Sequence, residues 1–106
     1  MNKWQQGDVQ AEAVDVLPNN AEKLKTLVLR EGEQTGHMHQ VIGDAMLFRD
    51  PSNSDIMFLE VGLGGAVVTH QTHGPIELSQ GNWRVTPTYK YEDPVRRQQV
   101  RHTVFD

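Results

Sequence analysis

Apolar and polar residues alternate over short stretches of this chain, and recurrent turn signals separate the stretches. In Lys25-Thr26-Leu27-Val28-Leu29-Arg30, Leu27 and Leu29 share one face while Thr26, Val28 and Arg30 take the other. From Asp55 to Val61, Ile56, Phe58 and Glu60 oppose Met57, Leu59 and Val61. From Asn82 to Tyr91, Trp83, Val85, Pro87 and Tyr89 oppose Arg84, Thr86, Thr88 and Lys90. Strict alternation is the signature of half-buried strands, whose side chains point to opposite faces in turn. Pro87 has no N–H for a ladder, which predicts an edge or a bulge at that point.

The turn signals are Pro18-Asn19-Asn20, Glu31-Gly32, Gly43-Asp44, Asp50-Pro51-Ser52-Asn53, Gly62 to Gly65, Gly74-Pro75 and Gly81-Asn82. The segments between them run to about five to eight residues, which is strand length and short for helices. The pattern predicts an all-β protein, a small barrel or sandwich of about seven to eight short antiparallel strands. One short helix is expected near the C-terminus, where Asp93-Pro94 forms an N-cap and N1 ahead of Val95 to Arg101. An irregular arm is the alternative there. At 106 residues the chain is expected to form a single domain, residues 1–106.

Composition narrows the function. The longest apolar runs, such as Ala45-Met46-Leu47-Phe48 and Ile56-Met57-Phe58-Leu59, fall far below the roughly 20 residues of a spanning helix. The first residues hold no apolar stretch of signal-peptide length, so a cytoplasmic location is expected. With no cysteine there is neither a disulfide framework nor a thiolate metal site. The formal net charge of −4 disfavours duplex nucleic acid as partner. The basic side chains Arg84, Lys90, Arg96, Arg97 and Arg101 nevertheless gather late in the chain, where a small anionic molecule or an acidic surface would find them.

The chemistry lies in the histidines. Four of the five occur in two tight pairs, His37 with His39 and His70 with His73. On a strand, His37, His39 and Val41 point the same way, with the two imidazoles roughly 6–7 Å apart at the backbone, a spacing that suits two ligands of one metal. His70 ends an apolar strand and His73 opens a turn, so a bend in the chain can aim both rings at one point. Imidazole nitrogen suits zinc, iron, nickel, manganese or copper. Four histidines make a closed tetrahedral site; three, with His73 outside, leave an open position. Histidines beside glycines also serve merely as hydrogen-bonding turn residues, and His102 in the polar tail reads as solvated. Asp44 is a further carboxylate for the site, unless Gly43-Asp44 is simply a hairpin turn. Glu60 is the second nearby carboxylate, and as an inward residue it would need a partner.

A pocket reading stands beside the metal reading. Arg84, Trp83, Tyr89 and Tyr91 are stacking and anion-pairing types that, with the histidines, would line a site for a nucleotide-like anion. A structural role in a virion, with the histidines as turn residues, is the third reading. The chain holds no Ser-His-Asp arrangement, phosphate loop or zincin motif, which argues against a classical enzyme. Exposed strand edges in a small β domain favour a homo-oligomer.

Gly32 followed by His37-Met38-His39 resembles the first motif of the cupins, in which a His-x-His strand supplies metal ligands. That resemblance implies ligation by His37 and His39 and gives Asp44 the place of the acidic ligand. The second cupin motif has a histidine after its turn, whereas here Ser79-Gln80-Gly81 leads into Asn82-Trp83-Arg84. More of the chain is similar to a group of short phage and bacterial proteins. That similarity is carried by Gln6-Gly7-Asp8-Val9, Gly32 to His39, His70 to Leu78 and Gly81 to Val85. It implies a phage origin, a host-cytoplasmic location and a role as a small non-catalytic binder of a signal molecule.

Overall fold

The computed structural model describes residues 1–31 and 36–88. Tyr89, Tyr91, the helix expected after Asp93 and His102 lie outside the described residues. Among the described residues there are eight strands and no helix. They are β1 (Lys3–Gln6), β2 (Val9–Val14), β3 (Glu22–Lys23), β4 (Val28–Glu31), β5 (Met38–Asp50), β6 (Asn53–Thr69), β7 (Ile76–Leu78) and β8 (Gly81–Pro87). All pairings are antiparallel, in the order β1-β2-β8-β6-β5-β3, with β4 added to β5 and β7 to β6. The all-β architecture expected from the alternation is what the chain adopts.

The spine of the sheet is the β5–β6 ribbon. Its strands run to 13 and 17 residues, well beyond the expected length. Two of the turn signals are therefore not turns: Gly43-Asp44 and Gly62 to Gly65 lie inside the ribbon. The register shifts there, from Gly43↔Ala66 to Ala45↔Val61, so that residues 62–65 bulge outward opposite Asp44. Asp44 Oδ2 accepts the Gly64 N–H at 3.0 Å, and a Cβ on Gly62 would collide with the Asp44 carboxylate. The glycines thus make room for a side chain inside a bent ladder, as bulges commonly do. The bend divides the ribbon, and each half takes its own partners: β8 pairs with Met57–Val61, while β7 pairs with Ala66–Val68.

Pro87 is the last residue of β8, an interior strand between β2 and β6. The β6 ladder has already ended at Val85, so the missing N–H interrupts nothing on that side. The inward residues of the strands form one core, which includes Trp4, Val9, Ala11, Leu29, Val41, Leu47, Leu59, Val61, Val68, Trp83 and Val85. Trp4 and Trp83 meet edge-on with ring centroids 6.1 Å apart, a favoured aromatic geometry. Two polar residues are buried at one end of this apolar interior, Gln6 and His39, and they mark the site.

Candidate metal centre

Register builds the site. The β5–β6 ladder ends at Gln40↔Thr69, and the next position along places His70 across from His39. On the other side of β5, Arg30 of β4 is the partner of His39. Arg30, His39 and His70 therefore form a row across three neighbouring segments, with His37 just before β5 and His73 in the bend after β6. The ring centroids stand 4.3 Å apart for His39–His70, 4.7 Å for His70–His73, 5.6 Å for His37–His70 and 6.2 Å for His39–His73. The two histidine pairs, some thirty residues apart in the chain, form one cluster.

The β1–β2 hairpin reaches the same cluster. Gln6 pairs with Val9, which leaves Gly7-Asp8 as a two-residue turn. Gly7 has φ of 58° and, among the described residues, no non-glycine residue has positive φ, the pattern of a type II′ turn. The turn brings Gln6 and Asp8 to the histidines, beside β4, β5 and the segment that follows β6. Arg30 Nε donates to Asp8 Oδ2 at 2.7 Å, and His39 Nε2 lies 3.0 Å from Asp8 Oδ1. Gln6 Nε2 donates to the carbonyls of Val68 at 3.0 Å and Gly74 at 2.9 Å, while Gln6 Oε1 lies 2.8 Å from His39 Nδ1. A further link runs from Met38 N–H to Gln71 Oε1 at 2.8 Å.

These bonds determine the chemistry of His39. Both Gln6 amide hydrogens go to main-chain carbonyls, so its oxygen is left to face the imidazole. An amide oxygen only accepts, so His39 Nδ1 carries the hydrogen. In the neutral ring Nε2 is then the lone-pair nitrogen, and it points at a carboxylate oxygen. His39 is 1% exposed, and its pKa lies below the ordinary value of 6.5. Burial is the largest cause, followed by repulsion from His70; the hydrogen bond and charge of Asp8 pull the other way. His70 Nδ1 accepts from Thr72 N–H at 3.1 Å.

The other expected site residues fall elsewhere. Trp83 is buried in the core against Trp4, and Arg84 takes the opposite face of β8, where its Nη1 lies 3.5 Å from Glu12 Oε1. Asp44 is taken up by the bulge and shares a hollow with Glu60, Gln80 and Asn82. Three residues of the cluster, Gln6, Asp8 and Arg30, were not expected from the sequence. The Gly7-Asp8 dipeptide between two alternating stretches is a hairpin signal that would have placed two of them at a turn tip. Nothing local to Arg30 marks it.

Among the described residues, no three His, Asp or Glu side chains already converge as a metal-holding set. Instead, His70 accepts from Thr72 and Asp8 from Arg30. No helix among the described residues is long and apolar enough to cross a membrane. No curated protein and no solved structure matches the chain. The family model described as "Domain of unknown function (DUF8820)" matches residues 5–87, which take in the hairpin, both histidine pairs and every described strand from β2 to β8, and the chain belongs to that family.

Proposed function

We propose that this protein binds a divalent transition metal through the cluster of His37, His39, His70 and His73. The observation that carries the reading is the spacing of the four rings. Imidazoles bound to one metal through bonds of about 2.0–2.1 Å have centroids roughly 4.5–5.2 Å apart, from octahedral to tetrahedral angles. The His70–His73 separation of 4.7 Å lies in that range and the 4.3 Å of His39–His70 just below it, while His37–His70 at 5.6 Å and His39–His73 at 6.2 Å must draw in by about 1 Å or less. A second feature supports it: the hydrogen bond from His39 Nδ1 to Gln6 fixes the tautomer and leaves Nε2 as donor, the arrangement common to metal-bound histidines. Capture requires His70 to turn from Thr72 and His73 to swing with it. Both are half-buried and stand on a bend rather than in a ladder, so side-chain rotation breaks no strand pairing. Zinc, iron, nickel and manganese all accept such donors.

The test is metal analysis of tag-free protein, stripped with chelator and then loaded separately with Zn²⁺, Ni²⁺, Mn²⁺ and Fe²⁺. One equivalent per chain is expected for at least one metal, with stoichiometric binding lost in His39→Ala and in His70→Ala. His70→Ala removes a half-buried ring that stands outside the strand ladders, and circular dichroism checks that the fold is kept. Failure of every metal to bind stoichiometrically overturns the reading.

A further inference from the structure

We infer that Asp8 is itself a ligand of this centre, adjacent to His39, so that the metal is held by a mixed imidazole and carboxylate set rather than by histidines alone. The inference rests on the metal-binding reading above and adds a residue from the β1–β2 turn. Three observations support it.

The first is distance. His39 Nε2 and Asp8 Oδ1 are 3.0 Å apart. Two neighbouring ligands at about 2.1 Å from one metal are separated by roughly 3.0 Å at octahedral angles and 3.4 Å at tetrahedral ones. The separation of the two atoms therefore already suits a shared cation, which a turn of the carboxylate or the ring about its own bonds would admit.

The second is the tautomer of His39. Gln6 is 3% exposed and its amide is committed to Val68 and Gly74, so the Nδ1 hydrogen is held in place and Nε2 faces the carboxylate. In the neutral ring two lone pairs then confront each other at a largely buried position. A cation set to one side of the line joining them, about 2.1 Å from each, satisfies both.

The third is the remaining carboxylate oxygen. Asp8 Oδ2 accepts a 2.7 Å hydrogen bond from Arg30 Nε, and Arg30 stands opposite His39 in the ladder. Arg30 thus orients the carboxylate and leaves Oδ1 toward the imidazole. Outer groups of this kind orient the ligands of metal sites. A carboxylate among the donors favours metals that take five or six ligands, such as manganese, iron and nickel, over a closed four-histidine zinc site.

Cobalt(II) is the probe. Its visible spectrum distinguishes intense tetrahedral bands from the weak bands of five- or six-coordinate sites. Wild-type protein loaded with one equivalent is expected to give weak bands. Asp8→Asn keeps the size of the side chain, and its fold is checked by circular dichroism. It is expected to change those bands and to weaken cobalt binding at least about 10- to 100-fold, the loss typical of outer-shell groups. Arg30→Gln is expected to weaken binding less and to leave the bands of the wild type. Where Asp8→Asn does not fold, infrared spectra of wild-type protein carrying ¹³C-labelled aspartate give the same answer, through a carboxylate band that moves when cobalt is added. Unchanged affinity and bands in folded Asp8→Asn, or an aspartate spectrum indifferent to the metal, overturns the role of Asp8 and leaves histidine binding standing. Absence of cobalt binding in the wild type overturns the metal-binding reading itself.

Discussion

Asp8 and Asp44 are two carboxylates at two irregular places in the sheet, and they do opposite things. Asp44 lies in the middle of the β5–β6 ribbon, where the bulge of residues 62–65 curls around it and the Gly64 N–H meets it. Its partners come from the strand beside it, and its effect is to hold a bend. Asp8 lies at the tip of the β1–β2 turn, and its partners, Arg30 and His39, come from two other strands. One carboxylate is satisfied by local backbone and the other by side chains that only the tertiary fold brings near. A carboxylate paired with ring nitrogen and guanidinium is chemically versatile; one held by an amide inside a bulge is structural.

The sharpest way to break this contrast is Gln6→Leu. It deprives the Val68 and Gly74 carbonyls and His39 Nδ1 of their partner at once. Leaving three such groups unsatisfied is expected to cost roughly 3–5 kcal/mol in urea unfolding. Metal binding should fall with it, because the imidazole loses its fixed tautomer. Gln6→Glu separates the two effects: it still accepts from Nδ1 yet repels both carbonyls, so stability should fall while His39 keeps its orientation.

At the bulge the expected effect is smaller. Gly62→Ala drives a methyl group into Asp44 and should cost about 2 kcal/mol. Combining it with Asp44→Ala should recover part of the loss, since the two side chains contend for one space. Metal content should be that of the wild type throughout. A change in metal binding on altering the bulge would join the two regions that the structure separates.

Proton linkage gives a third comparison, made on metal-free protein. His39 has a lowered pKa in the folded state, so the unfolded chain takes up a proton first as pH falls. Its contribution to stability is complete above the ordinary value of 6.5 and is lost as pH drops from there through the folded pKa. Melting temperature should therefore decline below about pH 6.5, less steeply in His39→Gln. A melting curve as steep in the variant as in the wild type would remove His39 from the account. The smallest effect is expected from Asp44→Asn alone, within about 1 kcal/mol, because an amide oxygen can still accept from Gly64.

Strand class was legible because the period-2 pattern is local, and residues such as Leu27 and Leu29 or Met57, Leu59 and Val61 carry it whatever lies beyond them. The glycine-rich stretches misled for the same reason. Gly43-Asp44 and Gly62 to Gly65 have the composition of turns, and only the facing strand makes them the two sides of one bulge. The histidine pairs were legible as pairs because closeness in sequence is local too, although only His39 of the four lies within a strand.

What the chain determined alone was therefore a set of alternating strands and two places rich in imidazole. The tertiary structure decided that His39 lies opposite both Arg30 and His70, that the Gly7-Asp8 turn closes over them, and that Gln6 sets which ring nitrogen carries the hydrogen. These depend on strand register and on the path of the sheet, which bring together residues from nine to more than sixty positions apart. Such contacts leave no periodic trace in the segments that make them, because the partners belong to different strands and the geometry belongs to the sheet.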